Sequence, residues 1–99
     1  QAETHAWKPI IAHLVTELCH ADTSKIANAR HVFASTLQVT TKEFPDLSAV
    51  MNPYIELLQH CRPSDNNNVT CAQEQEMDMG QLIDVAKHTL ENAQTILVE

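Results

Sequence analysis

A single glycine, Gly80, in a chain of 99 residues narrows the fold more than any other feature. Strand-rich architectures turn tightly and often, and their turns draw on residues that reach positive φ at no steric cost. Loops that cradle phosphate need several glycines, because the backbone must approach the anion closely. One glycine argues against both, so β-rich folds and nucleotide-binding α/β folds are set aside and helices remain. The length suits one domain, residues 1–99, with no room for a second core. The only aromatics are Trp7, Phe33, Phe44 and Tyr54, so that core is mostly aliphatic.

Periodicity supplies the helices. Trp7, Ile10, Ile11, Leu14 and Leu18 share one face of a first helix, with Pro9 in its first turn. Asp22 or Thr23 offers an N-cap for a second, whose buried stripe is Ile26, Ala29, Phe33, Thr36 and Leu37. Thr40 and Glu43 have capping-box spacing and predict a turn of helix before Pro45. A third stripe holds Leu47, Val50, Met51, Tyr54, Leu58 and Cys61. Its phase runs through Pro53 without a slip, so Pro53 is read as a kink rather than a restart capped by Asn52.

Residues 62–70 read as a polar loop. The fourth helix is expected to begin near Cys71 or Ala72 and to run to about Leu97. Leu82, Ile83, Ala86, Leu90, Ala93 and Leu97 line its inner face. Glu74, Glu76 and Asp78 then fall in its first turns, the favourable sign for a helix N-terminus, and Gly80 is a point where it bends. The expectation is all-α: a four-helix antiparallel bundle with short loops. Cys19, at the end of helix one, shares a pole with the end of helix three and the start of helix four.

Cys61 and Cys71 flank the polar loop and are the expected disulfide, contributing about 2.5–3 kcal/mol by loop closure. Cys19 is then read as a buried free thiol, with an intermolecular bridge or a bridge to Cys61 or Cys71 as alternatives. The pairs Cys19–His20 and His60–Cys61 form the best metal constellation in the chain. Adjacent helical residues point about 100° apart, however, and no paired-ligand spacing occurs, so no metal or cofactor is expected. His13 and Glu17 at i, i+4 suit a solvated face. Nothing resembles a nucleophile elbow or an oxyanion-hole turn, and an enzyme is not expected.

Charge is more informative. The net charge is −7, carried mostly by the second half, with Glu56, Asp65, Glu74, Glu76, Asp78 and Asp84. Phosphate backbones are repelled by such a surface, whereas a basic protein is captured faster by it. The bland alternative is a solvated face that keeps the protein soluble. No stretch of 18 uncharged apolar residues occurs, so no membrane span is expected. The chain starts at Gln1 rather than methionine, as after signal-peptide removal, which with the disulfide suggests export. Asn68-Val69-Thr70 matches an N-glycosylation acceptor, meaningful only in a eukaryotic secreted protein.

Taken together, the short mature chain, disulfide, helices and acidic surface resemble the small periplasmic immunity proteins of bacterial type VI secretion systems. The profile is similar in particular to the helical ones that guard Vibrio against a lysozyme-like muramidase effector. The resemblance covers the overall profile from Gln1 to Glu99 and no diagnostic motif. It implies a periplasmic protein that inhibits a peptidoglycan hydrolase by plugging its basic groove. The expected contact surface is Glu74, Glu76 and Asp78 with Asp65, Asn66, Asn67 and Asn68 of the neighbouring loop. A homodimer is expected if Val15, Val39 and Ile55 leave an apolar patch exposed. The rival readings are a periplasmic metal- or stress-related binder and a eukaryotic secreted signalling or carrier protein.

Overall fold

The computed structural model describes residues 6–64 and 66–98, with backbone only for 96–98. Four helices form as the periodicity predicts: α1 (Trp7–Cys19), α2 (Ile26–Glu43), α3 (Ser48–Gln59) and α4 (Met79–Val98). Between α3 and α4 lies a small antiparallel sheet, which corrects the purely α-helical expectation. Its strands are β1 (Arg62–Pro63), β2 (Val69–Cys71) and β3 (Gln75–Met77), in the order β1-β2-β3.

Each helix buries one stripe. Trp7, Ile11, Leu14 and Leu18 of α1 are buried, while Ile10 is 39% exposed, at the margin of the stripe. In α2 the buried set is Ile26, Ala29, Phe33, Ala34, Leu37 and Thr40. Thr36 is only half-buried. Thr40 does not cap a separate turn: α2 runs through it to Glu43, and its hydroxyl donates to the Thr36 carbonyl at 2.7 Å. Asp22 does cap, accepting from the Ser24 N–H at 3.0 Å and opening a single 3₁₀ turn, Thr23–Lys25, that leads into α2.

A second 3₁₀ turn, Pro45–Leu47, joins α2 to α3. α3 continues through Pro53 with no restart at Asn52. Pro53 lies on the exposed side, where water can meet the carbonyl that loses its N–H partner. Along α4, Leu82, Ala86, Thr89 and Ala93 are buried, whereas Ile83 and Leu90 are partly buried against the core. The side chain of Leu97 lies outside the described residues.

α1 packs on α2 and α4, and α3 packs on the same two, so α1 and α3 lie across a diagonal. Arg30, near the start of α2, donates from Nη1 to the Leu58 carbonyl at 3.1 Å. That guanidinium sits at the negative end of the α3 dipole. The contact places the start of α2 and the end of α3 at one pole, and the sheet grows from that pole. Among the described residues no helix is long and apolar enough to cross a membrane.

Candidate functional site

The sheet is an insert between α3 and α4, and a disulfide closes its first two strands. The expected bond between Cys61 and Cys71 is present and ties the end of α3 to the end of β2. Register follows from the pairs Arg62↔Thr70, Pro63↔Val69, Thr70↔Glu76 and Val69↔Met77. Residues opposite one another in an antiparallel ladder share a face, and faces alternate along each strand. Val69, Cys71 and Met77 therefore fall together and are buried against the core. Arg62, Thr70 and Glu76 form the outer row, with Arg62 and Glu76 exposed and Thr70 half-buried.

The hairpin from β1 to β2 closes through Ser64, whose N–H donates to the Asn68 carbonyl at 3.0 Å. Its hydroxyl lies within donating distance of that carbonyl, 3.3 Å, and of Glu76 Oε1, 3.2 Å. Asn67 holds the turn at φ 58°, a left-handed conformation that asparagine tolerates. Asn66 and Asn67 are exposed and Asn68 is half-buried. Asp65 lies outside the described residues.

The turn from β2 to β3, Ala72–Glu74, is a tight one. Gln73 and Glu74 occupy the left-handed region in succession, at φ 67° and 63°, although neither is glycine. Glu74 approaches Arg62 Nη2 at 3.9 Å, with both side chains largely in solvent. Such a pair is worth less than about 1 kcal/mol and leaves the carboxylate available to a competing cation.

Asp78 plays a different part. α4 begins at Met79, not near Cys71 or Ala72, and Asp78 is its cap. The Asp78 carboxylate accepts from the Gln81 N–H at 2.8 Å, and Gln81 Oε1 accepts from the Asp78 N–H at 2.9 Å. This reciprocal capping box satisfies two donors at the helix start. Gly80 is the second residue of α4, at negative φ, so it lies in the first turn and not inside a longer helix that it could bend. Glu74, Glu76 and Asp78 thus come from a turn, a strand and a cap rather than from one helical turn. The structure gathers Glu74 and Glu76 with Arg62 and Ser64 on the insert's outer side, and commits Asp78 to α4.

Other expectations are corrected. Cys19 is free but exposed, not a buried thiol, and is not bridged to Cys61 or Cys71. Cys61 is spent in the disulfide, which removes it from the Cys19–His20 and His60–Cys61 constellation. Among the described residues no three His, Cys, Asp or Glu side chains are grouped to hold a metal ion. His13 Nε2 meets Glu17 Oε1 at 3.1 Å on an exposed face, as its spacing suggests. Val15, Val39 and Ile55 do not form a common patch: Val39 is 57% exposed, Ile55 is buried and Val15 packs partly against the core.

Sequence reasoning missed Arg62, Ser64 and Thr70 because it placed residues 62–70 in a loop. The alternation of β2, with Val69 and Cys71 inward and Thr70 outward, and the run of asparagines before it were the available signals. Clefts of the bundle lie between helices instead, one lined by Leu14, Leu18, Ala29 and Val32, another by Gln38, Val39, Asn52 and Gln59. Comparison with protein-family models, with curated proteins and with solved structures finds no match to this chain.

Proposed function

We propose that the protein acts by binding: it inhibits a basic peptidoglycan hydrolase of the periplasm, muramidase-like in its groove, by seating the insert there as an immunity protein. The observation that supports this reading is the presentation of Glu74 and Glu76. Both carboxylates stand in solvent, Glu74 in the turn and Glu76 on β3, just beyond a strand that a disulfide pins and a buried apolar face anchors. Holding the acids on a stapled sheet lowers the ordering cost of binding relative to a free loop. Carboxylates so held can accept paired hydrogen bonds from arginine around a substrate groove.

Asp78 leaves the contact set, since its carboxylate already serves α4. The test is inhibition of a panel of lysozyme-type hydrolases by the oxidised protein and by the double variant Glu74→Lys/Glu76→Lys. The native chain should inhibit one of them at nanomolar concentration, with inhibition relieved by salt. Charge reversal should weaken it more than tenfold. Equal inhibition by the variant would remove these acids from the mechanism, and no inhibition of any hydrolase would sink the reading.

A further inference from the structure

The insert is attached to the bundle rather than built into it. Four helices close the main core through Trp7, Ile11, Phe33, Leu37, Met51 and Leu82, all fully buried. The sheet adds to that core through one face only, Val69, Cys71 and Met77. Its strands are two or three residues long, too short to be stable without further support. A single covalent bond, Cys61 to Cys71, encloses β1 and β2 across a sequence separation of 10 and pins the residue from which the turn to β3 departs. Glu74 and Glu76 lie three and five residues beyond Cys71, in that turn and on a strand held by pairing to β2. The left-handed residues Gln73 and Glu74 come two and three positions after Cys71, so backbone strain sits in the turn that the bond anchors.

We propose that the Cys61–Cys71 bond is a redox catch on the insert. Oxidised, it holds Glu74 and Glu76 in their binding arrangement. Reduced, it lets the insert open while the four helices stay folded. The binding half of this inference rests on the function proposed above; the structural half does not.

The reductant is a dithiol, small or protein-borne. One of its thiolates attacks a sulfur of the pair, and the displaced sulfur takes a proton. Its second thiolate then resolves the mixed disulfide. Two electrons and two protons arrive as the thiols of Cys61 and Cys71, and the reductant ends as a disulfide. Cys71 is 1% exposed and Cys61 7%, so the thiolate reaches the bond only in a brief local fluctuation of the oxidised chain, and reduction then makes the opening lasting. A partner that binds only the closed insert makes the bond harder to reduce, by the same factor by which oxidation strengthens its binding.

The experiment is amide hydrogen exchange on the full chain, before and after dithiothreitol, with inhibition of the hydrolase panel measured on the same samples. Reduction should lower protection of residues 69–71 by about a hundredfold, the loop-closure effect for this length, and protection of residues 75–77 falls with them because β3 pairs on β2. Residues 11–18, 30–40 and 82–93 should keep theirs. The variant Cys61→Ser/Cys71→Ser should show the reduced pattern without reductant. Unchanged protection of residues 69–77, or loss of the helices together with them, would overturn the catch. If residues 69–77 open as expected but the oxidised chain inhibits no hydrolase, the catch stands and the binding role falls.

Discussion

Gln73 and Glu74 hold a conformation that costs an L-residue roughly 1–2 kcal/mol, because Cβ crowds the backbone carbonyl there. Glycine carries no such penalty, so Gln73→Gly should stabilise the protein by about 1 kcal/mol, set against the extra freedom it gives the unfolded chain. A urea titration checks this, and an unchanged or lowered midpoint would mean that the Gln73 side chain contributes something the strain conceals. Asp22 is the other residue with a distinct cost or gain. Its pKa is lowered, first by the backbone hydrogen bond from Ser24, then by the Ser24 side chain, with Lys25 adding a small electrostatic contribution. A carboxyl depressed on folding stabilises fully above its unfolded pKa of about 4 and loses that contribution as pH falls through the folded value. Asp22→Ala should therefore be less stable than the native chain at pH 7, and the two should converge in acid. Denaturant midpoints across pH 2–7 would show it. Buried threonines are a residue-scale point that hydropathy patterns overlook. Thr40 and Thr89 sit in the core because each hydroxyl donates to the carbonyl one turn back, at 2.7 and 2.8 Å.

Elements begin and end where their backbone groups find partners. α4 starts at Met79 because Asp78 and Gln81 exchange hydrogen bonds across its first turn. Spacing of acids alone placed the start seven or eight residues too early, since Glu74 and Glu76 bear the charge expected of a first turn but are held in a turn and a strand. Asp78→Ala should cost about 1 kcal/mol, as loss of a cap does, and thermal melting checks it. Loss of well under half that amount would mean that water replaces the cap. The same element scale explains why helices were legible and strands were not. A stripe such as Trp7, Ile11, Leu14 and Leu18 repeats over several turns, so its period can be read. Val69-Thr70-Cys71 alternates for only three residues and Gln75-Glu76-Met77 does not alternate at all, which is too little to separate a strand from a loop. Partners across the ladder decide such strands.

At the scale of the whole molecule, one core stabilises everything, and the insert depends on it. Phe33 of α2 is fully buried in the core. Phe33→Ala should cost about 3–5 kcal/mol, a large share of the roughly 5–15 kcal/mol that holds a domain of this size. Urea unfolding followed by far-UV circular dichroism measures it, and a cost below about 1 kcal/mol would mean that the core collapses around the gap. The acidic half of the sequence resolves into distinct places. Asp78 supports α4, Glu74 and Glu76 stand out from the insert with Arg62 beside them, and Asp84 lies exposed on α4. Net charge describes the sum and says nothing of that division.

The sequence by itself determined that four helices form, the central residues of their buried stripes, and the expected bond between Cys61 and Cys71. Those follow from periodicities and spacings local to the chain, where side chains three or four residues apart share a face. Tertiary structure decided the rest. Three strands exist because Val69, Cys71 and Met77 found one apolar surface and their neighbours paired across the ladder. Cys19 is exposed because the end of α1 turns its surface to solvent. The scarcity of glycine pointed away from strands, yet asparagine, glutamine and glutamate took the left-handed positions of the turns at Asn67, Gln73 and Glu74. Long-range packing and one covalent closure can hold conformations that local propensity disfavours, and no local pattern reports on either.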